Sequence, residues 1–288
     1  MDMRVASVVI PAHNEAATIA RNLSALCAGS EDAFEIVVVA NGCTDRTAEI
    51  AREAAPHARV VEIAEPSKAE AVRVGNSVAT VFPRVHLDAD IELSAEAVLR
   101  LLEPLTSGQV MATAPGRRVP REGCAWTVRW FYDVWEELPQ VGAGLFGRGV
   151  VAVTEQAQRR VEALPRLLGD DLAMSDAFGV GERTIVPGAL AVVHPPRTLR
   201  DLVRRRIRIV TGNRQADAAG VRRATSRTTP RDLARLARER PRLVGPVLVF
   251  VGVHLAAVLG ARRALRAGDF TTWQRDDSSR TAWGGGAA

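Results

Sequence analysis

Val5-Ala-Ser-Val-Val-Ile-Pro-Ala-His-Asn-Glu15 decides how the chain is read. Val5–Ile10 is a short apolar run closed by Pro11. Its length and its stop predict a buried strand, and it is too short for the apolar core of a secretory leader. A polar loop follows and leads into a helical pattern over Glu15–Cys27. The alternation then repeats. Strand-like runs at Phe34–Ala40, Arg59–Ile63, Arg84–Leu87 and Val110–Ala114 are separated by helical patterns at Asp45–Ala54, Lys68–Thr80 and Ala95–Leu102. Short strands that alternate with helices predict an α/β fold, with a mostly parallel sheet covered on both faces and right-handed crossovers. Ligands of such sheets bind beyond the carboxyl ends of the strands. The informative residues therefore stand directly after each strand.

Composition agrees with a folded domain. The chain has 288 residues, of which 47% are hydrophobic and 25% charged. That excludes a mainly disordered chain, a collagen-like repeat and a polytopic membrane protein. Cys27, Cys43 and Cys124 are odd in number and widely spaced, which argues against a disulfide framework or a zinc cage and fits a reducing compartment. A cytoplasmic location is expected. Charge is unevenly spread. Residues 1–196 carry 18 basic and 26 acidic side chains, whereas residues 197–242 carry 15 Arg and 4 acids. Lys68 is the single lysine in the chain.

Four clusters follow the strands: Pro11-Ala12-His-Asn14-Glu15, Asn41-Gly-Cys-Thr-Asp45, Pro66-Ser-Lys68 and Asp88-Ala89-Asp90. All fall at the same predicted sheet edge and so converge on one crevice. Backbone groups with Asn, Glu and Asp side chains suit a base and a ribose. Lys68 suits phosphate or base-edge charge. Two carboxylates one residue apart suit a divalent cation that bridges a diphosphate.

The ordered set Val8-Val-Ile-Pro-Ala-His-Asn-Glu15, Asn41-Gly-Cys-Thr-Asp-Arg-Thr47 and Leu87-Asp-Ala-Asp90 resembles the family 2 glycosyltransferases, which have the GT-A fold. The resemblance covers roughly residues 5–212. It implies transfer of a sugar from a UDP- or GDP-sugar donor with inversion, assisted by Mn²⁺ or Mg²⁺. Pro11, Ala12, Asn14 and Glu15 would line the base and ribose, Asn41 and Asp45 would close the other side, and Lys68 would sit beside the base. Asp88, with Ala89, would lie near the ribose and metal, and Asp90 would be the main metal ligand. The family often has Asp-Asp where this chain has Ala40-Asn41, which leaves the choice of nucleobase open. The family's acidic pair matches Asp170-Asp171, with Asp171 the base that takes the acceptor proton, Asp170 its neighbour and Asp176 a lesser candidate. Arg205 and Arg208 would contact the diphosphate, and His194 would be a further metal ligand. Ile209 stands where processive members carry Trp, so one transfer per acceptor is expected.

Other readings compete. Gly142-Ala-Gly-Leu-Phe-Gly147 fits a dinucleotide fingerprint, but no strand precedes it and strand-like Val150–Val153 follows, so an acceptor-site loop is the better reading. A nucleotidyltransferase would want a Gly-rich, Arg-containing loop after the first strand, where Pro11–Glu15 stands. A non-catalytic relative would have no reason to keep Asp88, Asp90 and Asp171. Trp126, Trp130 and Trp135 fit a helix face, either core or aromatic wall.

The sequence divides into a donor half (1–115), an acceptor half (116–212), a basic and apolar helical region (213–267) and a polar tail (268–288). The Arg-rich stretch lacks interleaved aromatics, so no nucleic-acid partner is expected; an anionic membrane surface suits it better. The 19 residues Leu243–Ala261 hold no charge. As a helix they extend about 28 Å at ~1.5 Å per residue. A helix lying on the membrane, a buried core or oligomer helix and a full span all fit, and flanking Arg with Pro246 and His254 favours the first. The acceptor is then a small molecule, lipid-linked or amphipathic.

Overall fold

The computed structural model describes residues 4–29, 32–164 and 170–266, and the tail 268–288 lies outside them. Elements run β1 (Ala6–Ala12), α1 (Ile19–Cys27), β2 (Phe34–Asn41), α2 (Thr47–Ala54), β3 (Arg59–Ile63), α3 (Lys68–Val78), β4 (Arg84–Leu87), β5 (Glu92–Leu93) and α4 (Ala95–Thr106). The second half adds β6 (Ala112–Arg118), α5 (Trp126–Trp135), α6 (Pro139–Ala143), β7 (Val150–Val153), α7 (Glu155–Glu162), α8 (Asp170–Asp176), β8 (Arg183–Val192), α9 (Leu199–Ala218), α10 (Pro230–Glu239) and α11 (Val244–Arg266).

One eight-stranded sheet has the order β3-β2-β1-β4-β7-β6-β8-β5. β3, β2, β1 and β4 are mutually parallel. β7 runs antiparallel between β4 and β6, β6 pairs parallel with β8, and β5 closes the edge antiparallel. The sheet is thus mixed, as expected of the GT-A class. The boundary expected near residue 115 falls inside β6, and the same sheet continues through both halves.

β1 shows why these residues form a central strand. Every one of its residues is buried. Val8 and Ile10 join the core that also takes Leu23 of α1 and Val98 and Leu101 of α4, while Val9 faces Ala71 of α3 on the other side. Alternating side chains thus fill both faces, as a doubly covered sheet requires. The chain leaves β1 toward β2 and β3, then crosses back to β4. That reversal opens a crevice at the carboxyl ends of β1 and β4.

The C-terminal region departs from expectation in one respect. α9 runs from Leu199 to Ala218 and so crosses the boundary expected at 212. Val210 of α9 packs against Ala257 and Ala261 of α11, which joins the two regions. α11 also meets α5, where Phe131 stacks on Phe250 with ring centroids 4.9 Å apart. The helix over Pro241–Arg263 is long and apolar enough to cross a membrane. One side of it is packed on the protein. The other leaves Leu248, Leu255 and Leu259 more than half exposed.

Candidate functional site

Two loops at the carboxyl ends of β1 and β2 are clasped together by the residues singled out in the sequence. Asn14 adopts the left-handed conformation (φ +52°), which asparagine tolerates better than most residues. Its Oδ1 accepts the Thr44 N–H at 2.7 Å, and its own N–H points to Cys43 Sγ at 3.4 Å. Asp45 accepts the Ala16 N–H at 3.2 Å and the Thr47 N–H at 3.0 Å, while Thr47 Oγ1 receives the Glu15 N–H at 2.7 Å. Glu15 is buried, with Thr18 Oγ1 donating to its Oε2 at 3.0 Å. His13 Nδ1 lies 2.6 Å from Asn41 O.

Asn14 and Asp45 therefore build the wall by tying loop to loop. Asn41 differs. It is 2% exposed and donates through Nδ2 to Ala12 O at 2.8 Å, but its buried Oδ1 has no hydrogen-bond partner. A buried orphan acceptor costs stability unless something donates to it. Pro11 and Ala12 form the floor at the end of β1.

Lys68 occupies the first position of α3, behind the N-cap Ser67 that accepts the Glu70 N–H at 3.2 Å. A cation is disfavoured there by the helix dipole. The structure shows what offsets it: Lys68 Nζ lies 2.7 Å from Asp88 Oδ1.

The Asp88-Ala89-Asp90 turn is held from three sides. The Asp88 N–H donates to Gly149 O at 2.8 Å, the Ile91 N–H to Asp88 O at 3.1 Å, and Asn22 Nδ2 to Ala89 O. Gly149 has φ +65°, and a Cβ there would lie 2.4 Å from Ile91 Cγ1 and 3.3 Å from Asp88 Oδ2. Glycine lets this backbone approach the Ile91 side chain and the Asp88 carboxylate closely. Two carboxylates one residue apart offer the hard oxygen donors that suit Mg²⁺ or Mn²⁺, which takes its remaining ligands from water and phosphate.

His194, expected as a further metal ligand, is held by a carboxylate. Its Nε2 is 2.6 Å from Glu92 Oε1, and Arg21 reaches the same oxygen at 3.2 Å. β5 pairs with β8 at Glu92 and Val192, which brings Glu92 close to His194. Among the described residues no three or more His, Cys, Asp or Glu side chains group as a metal cluster. Arg205 Nη1 donates to His194 O at 3.3 Å, tying α9 to the end of β8; Arg208 lies one turn further along α9.

Gly142–Gly149 begins at the end of the short helix α6 and runs to the start of β7, not the strand-then-helix order of a dinucleotide fingerprint. Asp171, at the start of α8, accepts the Gly147 N–H at 3.0 Å through Oδ2 and the Leu172 N–H at 2.9 Å through Oδ1. The side chain of Asp170 lies outside the described residues. Asp176, the lesser candidate for base, is buried and receives the Arg223 N–H at 3.0 Å and the Ser226 hydroxyl. The structure makes it a pin for the segment after α9.

Two arginines of this region escaped the sequence reading. Arg148 donates to the carbonyls of Val141, Gly142 and Gly144 at 2.9–3.2 Å, which holds the glycine-rich loop in shape. Arg117 donates to Val141 O at 2.8 Å and lies over Trp135 at 4.3 Å. Burial lowers the Arg117 pKa to about 10. Burial, with Arg117 adding to it, lowers that of Arg148 to about 9. Nothing local marks them, because each acts on carbonyls brought near by the fold. Of the tryptophans, Trp135 packs under Arg117, whereas Trp126 and Trp130 are exposed in an edge-to-face pair 4.9 Å apart.

A carboxylate pair, a lysine and an amide with an unpartnered oxygen thus stand at the switch point of a mixed sheet of the GT-A class. Residues 7–148 match the model of Glycosyl transferase family 2, so the chain carries a domain of that enzyme family. A curated relative, the undecaprenyl-phosphate 4-deoxy-4-formamido-L-arabinose transferase of Edwardsiella ictaluri (strain 93-146), is 36% identical over 110 residues, which are 35% of this chain and 34% of that protein. The match thus spans about a third of the relative's length. Among solved structures, a mannosyltransferase of Pyrobaculum calidifontis in complex with GDP-Man and Mn²⁺ is similar with a TM-score of 0.62 at 22% identity, over 92% of this chain and 76% of that one. The glucosyl-3-phosphoglycerate synthase of Mycobacterium tuberculosis, in complex with Mn²⁺, UDP and phosphoglyceric acid, gives 0.56 at 21% identity, over 77% and 80%. At these identities the likeness is one of fold.

Proposed function

We propose that this protein transfers one sugar from a nucleoside-diphosphate sugar to a hydroxyl of an acceptor, with inversion and with the help of a divalent metal. The observation that carries the reading is the convergence of Asn41, Lys68, Asp88 and Asp90 at the carboxyl ends of the central strands. The unpartnered Asn41 Oδ1 suits the ring N–H of uracil or guanine, with Pro11, Ala12, Asn14, Glu15 and Asp45 shaping the wall around the base and ribose. Asp90 and Asp88 would hold Mn²⁺ or Mg²⁺, which when bound offsets the charge developing on the leaving diphosphate. Lys68 orients Asp88 through their 2.7 Å ion pair. Arg205 and Arg208 lend positive charge from α9. Asp171, fixed by two backbone N–H groups, takes the acceptor proton in a single displacement. His194 positions Glu92 at the sheet edge.

The acceptor is amphipathic or lipid-linked, and the protein works at the cytoplasmic face of a membrane. The exposed leucines of α11, the Arg-rich helices beside it and the lipid-phosphate acceptor in the curated relative's name support this.

Thermal-shift and calorimetric titration with UDP, GDP, CDP and dTDP, each with and without Mn²⁺ or Mg²⁺, tests the donor site. A ligand at 100 times its Kd adds about 2.7 kcal/mol to apparent stability. One nucleotide is expected to bind in a metal-dependent way, and Asp90→Ala is expected to abolish that dependence. Absence of a shift with every nucleotide would refute the transferase reading.

A further inference from the structure

The outer face of α11 is a single apolar stripe. Val244, Leu248, Leu255 and Leu259 are exposed. Their spacings of four, seven and four residues put all four within an arc of about 60° at ~100° per residue. The stripe extends about 22 Å at ~1.5 Å per residue. No charge interrupts Leu243–Ala261. Aromatic surface adjoins its start. Trp126 and Trp130 of α5 are exposed with ring centroids 4.9 Å apart, and a Cβ on Gly245 would lie 3.1 Å from the Trp130 ring.

The opposite face of α11 is covered along its length. Leu243, Phe250 and Val253 are buried in a core shared with Leu202 of α9 and Phe131 of α5. Ala257 and Ala261 are buried with Val210 of α9, and a Cβ on Gly260 would lie 2.4 Å from Ile207 Cδ1. α9 therefore runs beside α11. Between Leu202 and Val210 it carries Arg204, Arg205, Arg206 and Arg208. A spanning α11 would draw these four arginines to bilayer depth, where arginine is costly. A helix lying flat immerses the leucines and leaves the arginines outside.

Charge decides what covers the stripe. Arg242 precedes it and Arg262 and Arg263 follow it, all exposed, and Val244–Arg266 contains no acidic residue. A second copy packed on the stripe would set arginine against arginine in either orientation. An anionic lipid surface offers phosphate to the arginines and hydrocarbon to the leucines, and tryptophan favours the boundary between the two.

We propose that Val244, Leu248, Leu255 and Leu259, with Trp126 and Trp130, dock this protein on an anionic phospholipid bilayer, with α11 in the plane of the membrane. This placement rests on the membrane association proposed above, and adds which face makes it and that the helix does not cross. α5 then connects lipid and site. Trp126 and Trp135 stand about 14 Å apart along it at ~1.5 Å per residue. A Cβ on Gly147, whose N–H donates to Asp171, would lie 3.0 Å from the Trp135 ring. A lipid-linked acceptor can thus bring its polar end toward Asp171 with its tail still in the bilayer.

Co-sedimentation of the full chain with preformed phosphatidylcholine vesicles, with and without phosphatidylglycerol, tests the surface at ~0.15 M salt. Wild type is expected to pellet with the phosphatidylglycerol vesicles. Leu248→Glu/Leu255→Glu is expected to weaken that binding at least ~10-fold more than Leu99→Glu/Val180→Glu, which makes the same change at exposed apolar positions elsewhere. Equal losses in the two pairs would overturn this surface and leave the membrane reading standing. Failure of wild type to bind either vesicle would overturn both. A wild-type dimer that ignores vesicles and is split by Leu248→Glu/Leu255→Glu would make the occupant a second copy. Vesicles with bromine at a shallow or a deep chain position test the orientation. The added fluorescence of Val244→Trp and of Leu255→Trp should be quenched most by the shallow bromine in both. Deep quenching of Leu255→Trp alone would mean a span and overturn the in-plane placement. Melting curves and metal-dependent nucleotide binding report whether the variants fold. If the double variant does not, Leu248→Gln carries the comparison.

Discussion

Replacing Gly149 by alanine is expected to damage stability and donor binding together. The residue has φ +65°, so any Cβ incurs the left-handed penalty of about 1–2 kcal/mol. The new methyl would also lie 2.4 Å from Ile91 Cγ1, an atom of a buried side chain near the backbone that cannot swing away. Overpacking of this kind costs about 1–3 kcal/mol. The two effects together give about 2–5 kcal/mol, or roughly 5–15 °C in Tm for a chain of this size. Relief by movement of the Asp88–Ile91 turn would displace Asp88 from Lys68, so metal-dependent nucleotide binding should fall as well. A double-mutant cycle isolates the clash. Ile91→Ala alone should cost ~2–5 kcal/mol through its cavity, and Gly149→Ala/Ile91→Ala should cost less than the sum of the two by ~1–3 kcal/mol. Scanning calorimetry with nucleotide titration measures all three variants. A Gly149→Ala protein that melts within ~2 °C of wild type and binds nucleotide normally, or strict additivity in the cycle, would refute the reasoning.

Asp171→Asn should lower turnover by ~10²–10⁴-fold while leaving donor affinity within error, because it removes a proton acceptor and not a donor contact; a matching loss in nucleotide binding would place Asp171 in the donor site instead. Glu35 reports on pH. Burial raises its pKa, but hydrogen bonds from Ser7, Thr80 and Val81 outweigh burial and hold it below the ordinary 4.5. Its stabilising effect is therefore present above the unfolded-state value and lost as pH falls through the lower folded value. Melting from pH 7 down to pH 3 should show wild type losing stability faster than Glu35→Gln at the acid end, and parallel curves would count against the assignment. Thr47→Val leaves the buried Glu15 N–H without its acceptor and should cost ~1–3 kcal/mol in a urea melt, with no change expected if water replaces the hydroxyl.

The parallel half of the fold was legible because its signal is local. Val8–Ala12 and Ile36–Ala40 are continuous apolar runs, as expected of strands buried on both faces. The residues that follow them were legible for the same reason: the carboxyl end of each strand is marked by where its apolar run stops. The second half was harder. β5 is two residues long and β7 only four, and nothing in Val150–Val153 says that it runs antiparallel between β4 and β6. α9 crosses the boundary expected at 212, because its packing on α11 through Val210 is a contact between distant residues that no local signal carries.

By itself, then, the sequence determined the class of fold, the crevice edge and the chemistry gathered there: Asn41, Lys68, Asp88 and Asp90 each stand at a boundary that hydrophobic periodicity locates. Tertiary structure decided which of these groups act on one another. Asp88 meets Gly149 across 61 positions, His194 meets Glu92 across 102, and Asp176 is spent on Ser226 across 50. Side-chain periodicity reports only how a few neighbouring residues face the core. Such distant pairings depend on the order and direction of strands in the sheet, and only the folded chain sets those.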